Sequence, residues 1–168
     1  MTGDARADQI AALAARDLPD DPPAGFRPIA PRIGFHLMMA QFYGRVEDCG
    51  LVVAFRCSPR HMNNHGTCHG GMLAGFADFA AYSVRLAADL PETSIPTASL
   101  SMEYLRPVRL GDWVEARTEL TKRGRTLLFS RTTVSVGATA VFTASGIFVQ
   151  ATHDPQGLEV LSGVLGKG

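Results

Sequence analysis

The chain has 168 residues, of which 46% are hydrophobic, and its formal net charge is zero. This length predicts one domain with its own hydrophobic core. The balanced charge gives no electrostatic basis for binding nucleic acid or an acidic membrane surface, and no apolar run approaches the roughly 18 residues of a membrane span. We therefore expect neither nucleic-acid nor membrane partners.

The N-terminus and the cysteines both favour a cytoplasmic location. An acidic residue comes early and no apolar segment of a secretory signal follows it. The three cysteines, Cys49, Cys57 and Cys68, are odd in number and lack Cys-x-x-Cys spacing. That pattern is typical of reduced thiols and not of a disulfide framework.

The N-terminal segment differs in composition from the rest of the chain. Residues 4–17 are alanine-rich at helical spacing, and the proline-rich stretch DLPDDPP follows them. We predict a helical arm over residues 1–30, a folded domain over 31–152 and a tail over 153–168. The stretches GFHLMMAQFYGRV and DCGLVVAFRC open the domain and predict a short helix or strand followed by a strand.

The stretch GGMLAGFADFAAYSVRLAADL predicts one long helix over residues 70–90. It is apolar nearly all round, so we expect it to be buried. Four stretches after Pro96 are rich in Val, Thr, Phe and Leu, mostly alternating, and glycines at 111, 124 and 137 mark the turns: TASLSMEYL, DWVEARTELT, RTLLFSRTTVSV and TAVFTASGIFVQ. These features predict an α+β fold, in which a curved antiparallel meander surrounds one buried helix.

A polar segment precedes this helix, in the sequence NNHGTCHGGMLAGFADFAA. His61, His65 and His69 are spaced four apart, which aligns ligands only on a helix. Asn63 and Gly66 lie between them and disfavour a helix. We therefore predict no metal site here.

Asp78 is a carboxylate in the middle of the apolar helix. A lone buried carboxylate is costly unless it is paired or used in chemistry. Pairing with a basic residue such as Arg85 is the structural alternative. That alternative leaves the polar residues two turns upstream without an explanation.

Gly70 and Gly71 begin the same helix, where backbone N–H groups are free and the helix dipole is positive. Glycine lets a ligand oxygen approach these N–H groups, as in an oxyanion hole. The alternatives are close packing for the glycines, a cap or core role for His69 and a turn for Asn63. Together with Asp78, the set favours attack on a carbonyl group.

The pattern N-x-x-G-x-x-H-G-G followed by Asp resembles the hotdog-fold acyl-CoA thioesterases of the phenylacetate-degradation type. It comprises Asn63, Gly66, His69, Gly70, Gly71 and Asp78. The stretch TASLSMEYLRPVRLGDWVEARTELTKRGRT, which starts at Thr97, is similar to a second block of that family. The resemblance covers residues 35–150.

This resemblance implies a hotdog fold, assembly as homodimers or as tetramers built from dimers, and a coenzyme A thioester as substrate without a cofactor. Asp78 matches the nucleophile or general base, Gly70 and Gly71 match the oxyanion hole, and Thr97 matches the hydroxyl that holds the water. His69 and Asn63 then lie beside the carbonyl.

The resemblance also assigns two segments to coenzyme A, although solvated hairpin tips are the common alternative for basic residues such as those of the second segment. The residues are Tyr104, Leu105, Arg106, Pro107, Arg109, Lys122, Arg123, Gly124, Arg125 and Thr126.

Two other functions remain open on the sequence alone, namely a hotdog hydratase or dehydratase and a non-catalytic acyl-CoA-binding protein. The His-Gly-Gly entrance with a helix Asp speaks against the first, and a buried carboxylate speaks against the second. Aryl-acetyl, hydroxybenzoyl and medium-chain acyl groups are all compatible with the sequence.

The spacing of Gly70 and Asp78 makes a further prediction. Eight residues span about 12 Å of helix, too far for both to reach one thioester. We expect Asp78 and Thr97 of one subunit to complete a site with Asn63, His69 and Gly70 of another.

Overall fold

The computed structural model describes residues 21–29, 34–48, 50–90, 93–151 and 162–165. The predicted helix over 4–17 therefore lies outside the described residues, as does Cys49. The strands are β1 (Arg27–Ile29), β2 (Phe42–Glu47), β3 (Gly50–Arg56), β4 (Thr97–Tyr104), β5 (Trp113–Arg123), β6 (Leu127–Val136) and β7 (Thr139–Val149). The helices are α1 (Phe35–Met39), α2 (Gly70–Ala80), α3 (Tyr82–Ala87) and α4 (Ser162–Leu165), and Pro59–His61 forms a 3₁₀ turn.

The seven strands of the described residues form one antiparallel sheet in the order β1-β2-β3-β5-β6-β7-β4. The α+β hotdog architecture predicted from the sequence is confirmed. The meander holds for β5, β6 and β7, but β4 lies beside β7 instead of beside β5. β3 occupies the side of β5 that a continuous meander would give to β4, and β4 pairs with the far side of β7 instead.

The predicted helix over 70–90 is present as two segments. At Ala81 the backbone hydrogen bonds tighten, so that the Ala81 N–H donates to the Asp78 carbonyl three residues back at 3.2 Å. The Ser83 hydroxyl also donates to the Ala80 carbonyl at 2.7 Å. Both contacts end α2 at Ala80 before α3 begins.

Aromatic rings fix α2 against the sheet. Phe76 and Phe79 of α2 stack on Phe42 of β2, with ring centroids 5.8 and 4.3 Å apart, and Phe55 of β3 meets Phe76 at 4.7 Å. All four rings are buried. They belong to the main hydrophobic core, and contacts of this kind add to the free energy gained by burial.

Two short elements join the domain from its terminal regions. β1 falls within the segment predicted as an arm, yet it pairs with β2 through Arg27↔Gly44. Val164 of α4, in the predicted tail, packs over Gly44, where a Cβ would lie 2.9 Å from its methyl group. Residues on both sides of the predicted boundaries therefore contribute to the domain.

Candidate active site

Asp78 and Thr97 form the first half of the predicted site. The Thr97 hydroxyl donates a 2.6 Å hydrogen bond to Asp78 Oδ1. The contact joins the last turns of α2 to the first residue of β4 and holds one carboxylate oxygen in place. Asp78 is only half-buried in the single chain, because its other side opens into a cavity.

The cavity beside Asp78 has a volume of about 260 Å³ and is also lined by His36 and Arg85. The His36 ring packs on Phe79 with centroids 4.7 Å apart. Burial lowers the pKa of His36, and the Asp78 charge opposes that shift. His36 is therefore mostly neutral at pH 7. Sequence reasoning missed it, since a single histidine in FHLMM carries no spacing signal.

His69 caps the start of α2. Its Nδ1 accepts a 2.9 Å hydrogen bond from the Gly71 N–H, so the neutral ring carries its proton on Nε2. The side chain is exposed and can present this N–H to a ligand. The Gly71 N–H is occupied by His69, so the predicted oxyanion role of Gly71 requires the His69 ring to move.

Gly70 keeps its N–H available, since no described residue accepts a hydrogen bond from it. Its carbonyl accepts a 3.0 Å hydrogen bond from the Tyr104 hydroxyl. A Cβ on Gly70 would lie 3.2 Å from the Tyr104 ring. Glycine thus permits the present approach of the ring, which lies beside the available N–H, whereas a Cβ would require the exposed ring to shift by a few tenths of an ångström.

Asn63 organises the loop before α2. Its Oδ1 accepts from the N–H groups of His65 and Thr67, at 2.8 and 3.2 Å, and its Nδ2 donates to Thr67 Oγ1. This is the turn role that Asn residues commonly take. The second Nδ2 proton remains for a ligand, and Asn63 shares a cavity of about 340 Å³ with Gly70 and Tyr104.

The two predicted coenzyme A segments lie at opposite ends of the helices. Residues 104–107 line the cavity beside Gly70, and the exposed Arg109 follows them. Residues 122–126 form the β5–β6 hairpin, where Arg123 donates to the Ala88 carbonyl just after α3. Gly70 and Ala88 are about 27 Å apart along the helices. One chain therefore does not bring these segments together.

His61, Cys57 and Cys68, which lie in or near the motif, have structural positions. His61 is buried, accepts from the Ser58 N–H and contacts the Met39 carbonyl at 2.7 Å through Nε2, which ties α1 to the loop. Cys57 and Cys68 are buried free thiols, and the neighbouring Cys68 thiol, together with burial, raises the pKa of the Cys57 thiol. Within the described part of the chain, no three His, Cys, Asp or Glu side chains are grouped as metal ligands.

A protein of Pseudomonas aeruginosa described as "Putative esterase PA0474" is 31% identical over 128 residues, which are 75% of this chain and 95% of that protein. The thioesterase superfamily model matches residues 65–141, which include Asp78 and β4. The chain belongs to the thioesterase superfamily. It is a thioester hydrolase with the hotdog fold, as its sequence motif implies.

Two further comparisons place this thioesterase within its superfamily. Human acyl-coenzyme A thioesterase 13 is 28% identical over 98 residues, which are 57% of this chain and 68% of that protein. The phenylacetic acid degradation protein PaaI of Thermus thermophilus, solved as a mutant, has 27% sequence identity and a TM-score of 0.59. That match covers 68% of this chain and 97% of the PaaI chain. No helix in the described ranges of this thioesterase is long and apolar enough to cross a membrane.

Proposed function

We propose that the protein hydrolyses acyl-CoA thioesters at sites that two subunits build together. The observation that carries the proposal is a pair of hydrogen bonds at opposite ends of β4, Thr97 to Asp78 and Tyr104 to Gly70. The ends of this strand are about 24 Å apart. Attack requires reacting atoms within about 3.5 Å. The Asp78 carboxylate and the Gly70 N–H of the same chain therefore do not both contact one thioester.

The edge of β4 offers a way to join the two halves. Within the described residues β4 pairs only with β7, and its other edge is open. β4 contains neither proline nor lysine, two residues that commonly protect such edges. Two-fold antiparallel pairing of β4 with a second copy, centred between Leu100 and Ser101, places Thr97 of one subunit opposite Tyr104 of the other.

The surface of α2 supports the same arrangement. Gly70, Ala74 and Asp78 are spaced four apart and are half-buried in the single chain, while Phe76 and Phe79 face the core. Residues four apart share one face of a helix. Small side chains on that face allow the α2 helix of a second subunit to approach closely, and Asp78 then lies near the positive start of that helix.

The proposed reaction assigns a step to each group. Asp78 accepts a proton from a water molecule, whose oxygen attacks the thioester carbon, and the Gly70 N–H of the other subunit donates to the developing oxyanion. The C–S bond then breaks, and the thiolate leaves with the proton from Asp78. In the nucleophilic alternative, Asp78 itself attacks and water hydrolyses the resulting anhydride. Single turnover in ¹⁸O-water distinguishes the two, because only the anhydride route can leave label in Asp78.

The same pairing of subunits also brings together the two segments proposed to bind coenzyme A. The exposed Tyr104–Pro107 segment lies beside Gly70 in one subunit. In the paired dimer, the Lys122–Thr126 hairpin of the other subunit is on the same side as this segment, since it lies near the Thr97 end of its own sheet. Basic side chains from both subunits then bind the phosphates of one nucleotide. The acyl-CoA specificity named for the human relative is consistent with this proposal.

The test is release of free thiol from a panel of acyl-CoA thioesters, measured with a thiol-reactive dye. Hydration of enoyl-CoA and binding of non-hydrolysable analogues are measured in parallel. We expect thiol release with at least one acyl-CoA and no hydration. Tight analogue binding without thiol release across the panel contradicts the proposal and favours a binding protein.

A further inference from the structure

The cavity beside Asp78 continues away from the proposed reaction centre along the helices. It begins at Asp78, passes Ala81 and reaches Arg85 and Ser94, with Ile95 among its walls. Because the carbonyl carbon must lie next to Asp78 during attack, a group attached to that carbon has direct access to this cavity.

The far wall of the cavity is basic. Arg85 is only 3% exposed, although it lies on α3 at the cavity wall. A hydrocarbon chain makes no hydrogen bond with a guanidinium and gains nothing from its charge. A carboxylate, in contrast, matches the planar fork of the guanidinium. Five N–H donors allow Arg85 to bind it while keeping contacts within the protein.

The spacing sets the length of the acyl group. Arg85 follows Asp78 by seven residues, or about 10 Å along the helices. Six carbons in an extended chain, with bonds of about 1.5 Å, cover roughly 6 Å, and the Arg85 side chain covers the remainder. The half-buried His36 lines the cavity as well and offers a second hydrogen-bonding group.

We propose that this cavity receives the acyl group and that Arg85 binds a carboxylate at its far end, so that the preferred substrates are thioesters of short dicarboxylic acids. This inference rests on the proposed acyl-CoA hydrolysis. A competing place for the acyl group is an apolar cavity of about 300 Å³ on the His69 side of Gly71, lined by Phe35, Met38 and Met72 among others. That cavity suits an unsubstituted fatty chain.

The test compares adipyl-CoA with hexanoyl-CoA, which have the same chain length and differ only in the terminal carboxylate. We expect the wild-type kcat/KM to favour adipyl-CoA by about 10- to 100-fold, the range given by a hydrogen bond to a charged group. A ratio at or below one overturns the inference. Failure to release thiol from any acyl-CoA overturns the proposed function as well, so the two failures are distinct.

Substitutions test whether Arg85 is the source of the preference for adipyl-CoA. Arg85→Met should lower the ratio of kcat/KM for adipyl-CoA to that for hexanoyl-CoA by at least about 10-fold. Met38→Ala, at the competing cavity, should leave the ratio unchanged. Circular dichroism verifies folding, and Arg85→Lys serves if Arg85→Met does not fold, since it keeps the charge but loses the bidentate fork. Equal losses on both substrates in a folded Arg85 variant overturn the assignment.

Discussion

At the scale of single residues, three polar side chains around α2 make contacts that support the fold and also lie at the proposed site. Asp78 accepts from Thr97, His69 accepts from the Gly71 N–H, and His36 packs on Phe79 near the Asp78 charge. Loss of any of these contacts is expected to change the free energy of unfolding. Variants must therefore separate loss of folding from loss of chemistry.

Asp78→Asn should lower kcat for acyl-CoA hydrolysis by about 100- to 10,000-fold, the range for loss of a general base. The protein should stay folded, since an amide keeps the Thr97 hydrogen bond and removes a half-buried charge. Thiol release and thermal unfolding measure both effects. Thr97→Ser is the matched control and should retain most turnover. Near-wild-type turnover in folded Asp78→Asn would remove Asp78 from the mechanism.

His69→Ala and His69→Asn separate capping from catalysis. Loss of the cap should cost about 1 kcal/mol in the free energy of unfolding, and Asn should restore most of it because its side chain accepts from helix N–H groups. If His69 contacts the thioester, both variants should lose at least about 10-fold in kcat. Urea unfolding and thiol release test this. Recovery of activity along with stability in His69→Asn would leave His69 a purely structural role.

His36 makes stability depend on pH. Its pKa in the folded protein is lowered, chiefly by burial, below the ordinary value of about 6.5. The unfolded chain therefore binds more protons below pH 6.5, so stability is full above that pH and falls as pH drops through the folded pKa. We expect the loss between pH 7.5 and pH 5.5 to be smaller in His36→Gln. Denaturant unfolding at both pH values checks this, and equal losses would show that His36 does not contribute.

At the scale of elements, α1 depends on a glycine of α2. A Cβ at Gly75 would lie 2.5 Å from Met39 Cε, so any larger residue must push aside the flexible end of the Met39 side chain, through which α1 contacts α2. Met39 is buried, and α1 carries His36. Close helix contact at Gly75 thus sets the position of the histidine over the Asp78 cavity.

Gly75→Val should destabilise the protein by about 1–3 kcal/mol, as overpacking of a core contact commonly does. Adding Met39→Ala should cost less than the sum of the two single changes, since the removed side chain gives the valine space. Urea unfolding of the wild type, both single variants and the double variant provides the cycle. If the losses in the free energy of unfolding are additive, Met39 is not the residue that clashes with a side chain at position 75.

At the scale of the whole molecule, the antiparallel sheet separates the two halves of the proposed site, and the β4 edge of the same sheet joins them in the proposed dimer. The helices run from the Tyr104 end of β4 to beyond its Thr97 end. Two-fold symmetry reverses one copy relative to the other. Assembly and catalysis are therefore coupled in the proposed dimer.

Subunit mixing tests this coupling. An equal mixture of His69→Asn and Asp78→Asn, exchanged to equilibrium, should recover roughly a quarter of wild-type activity, because half of the dimers are mixed and each has one intact site. Mass spectrometry verifies the mixed dimers, and the separate parents are the controls. Verified mixed dimers that remain as inactive as the parents would place the whole site in one chain.

The sequence by itself determined the four C-terminal strands, the position of the central helix and the chemical groups at its start. Alternation predicted β4 to β7, and the motif from Asn63 to Asp78 pointed to a helix entrance with a carboxylate, because side-chain periodicity and helix-end chemistry are local properties. The motif also predicted the family, which the comparisons confirmed.

Only the tertiary structure decided which distant residues meet. The Asp78–Thr97 and Gly70–Tyr104 contacts join positions 19 and 34 residues apart, and His36 reaches Asp78 from another helix. The sequence pattern likewise did not predict three other features of the structure. These are the pairing of β4 with β7, the break of the helix at Ala81 and the hydrogen bond from the Gly71 N–H to His69. Such contacts depend on how the sheet curves around packed rings such as Phe42 and Phe79, and no local spacing encodes that packing.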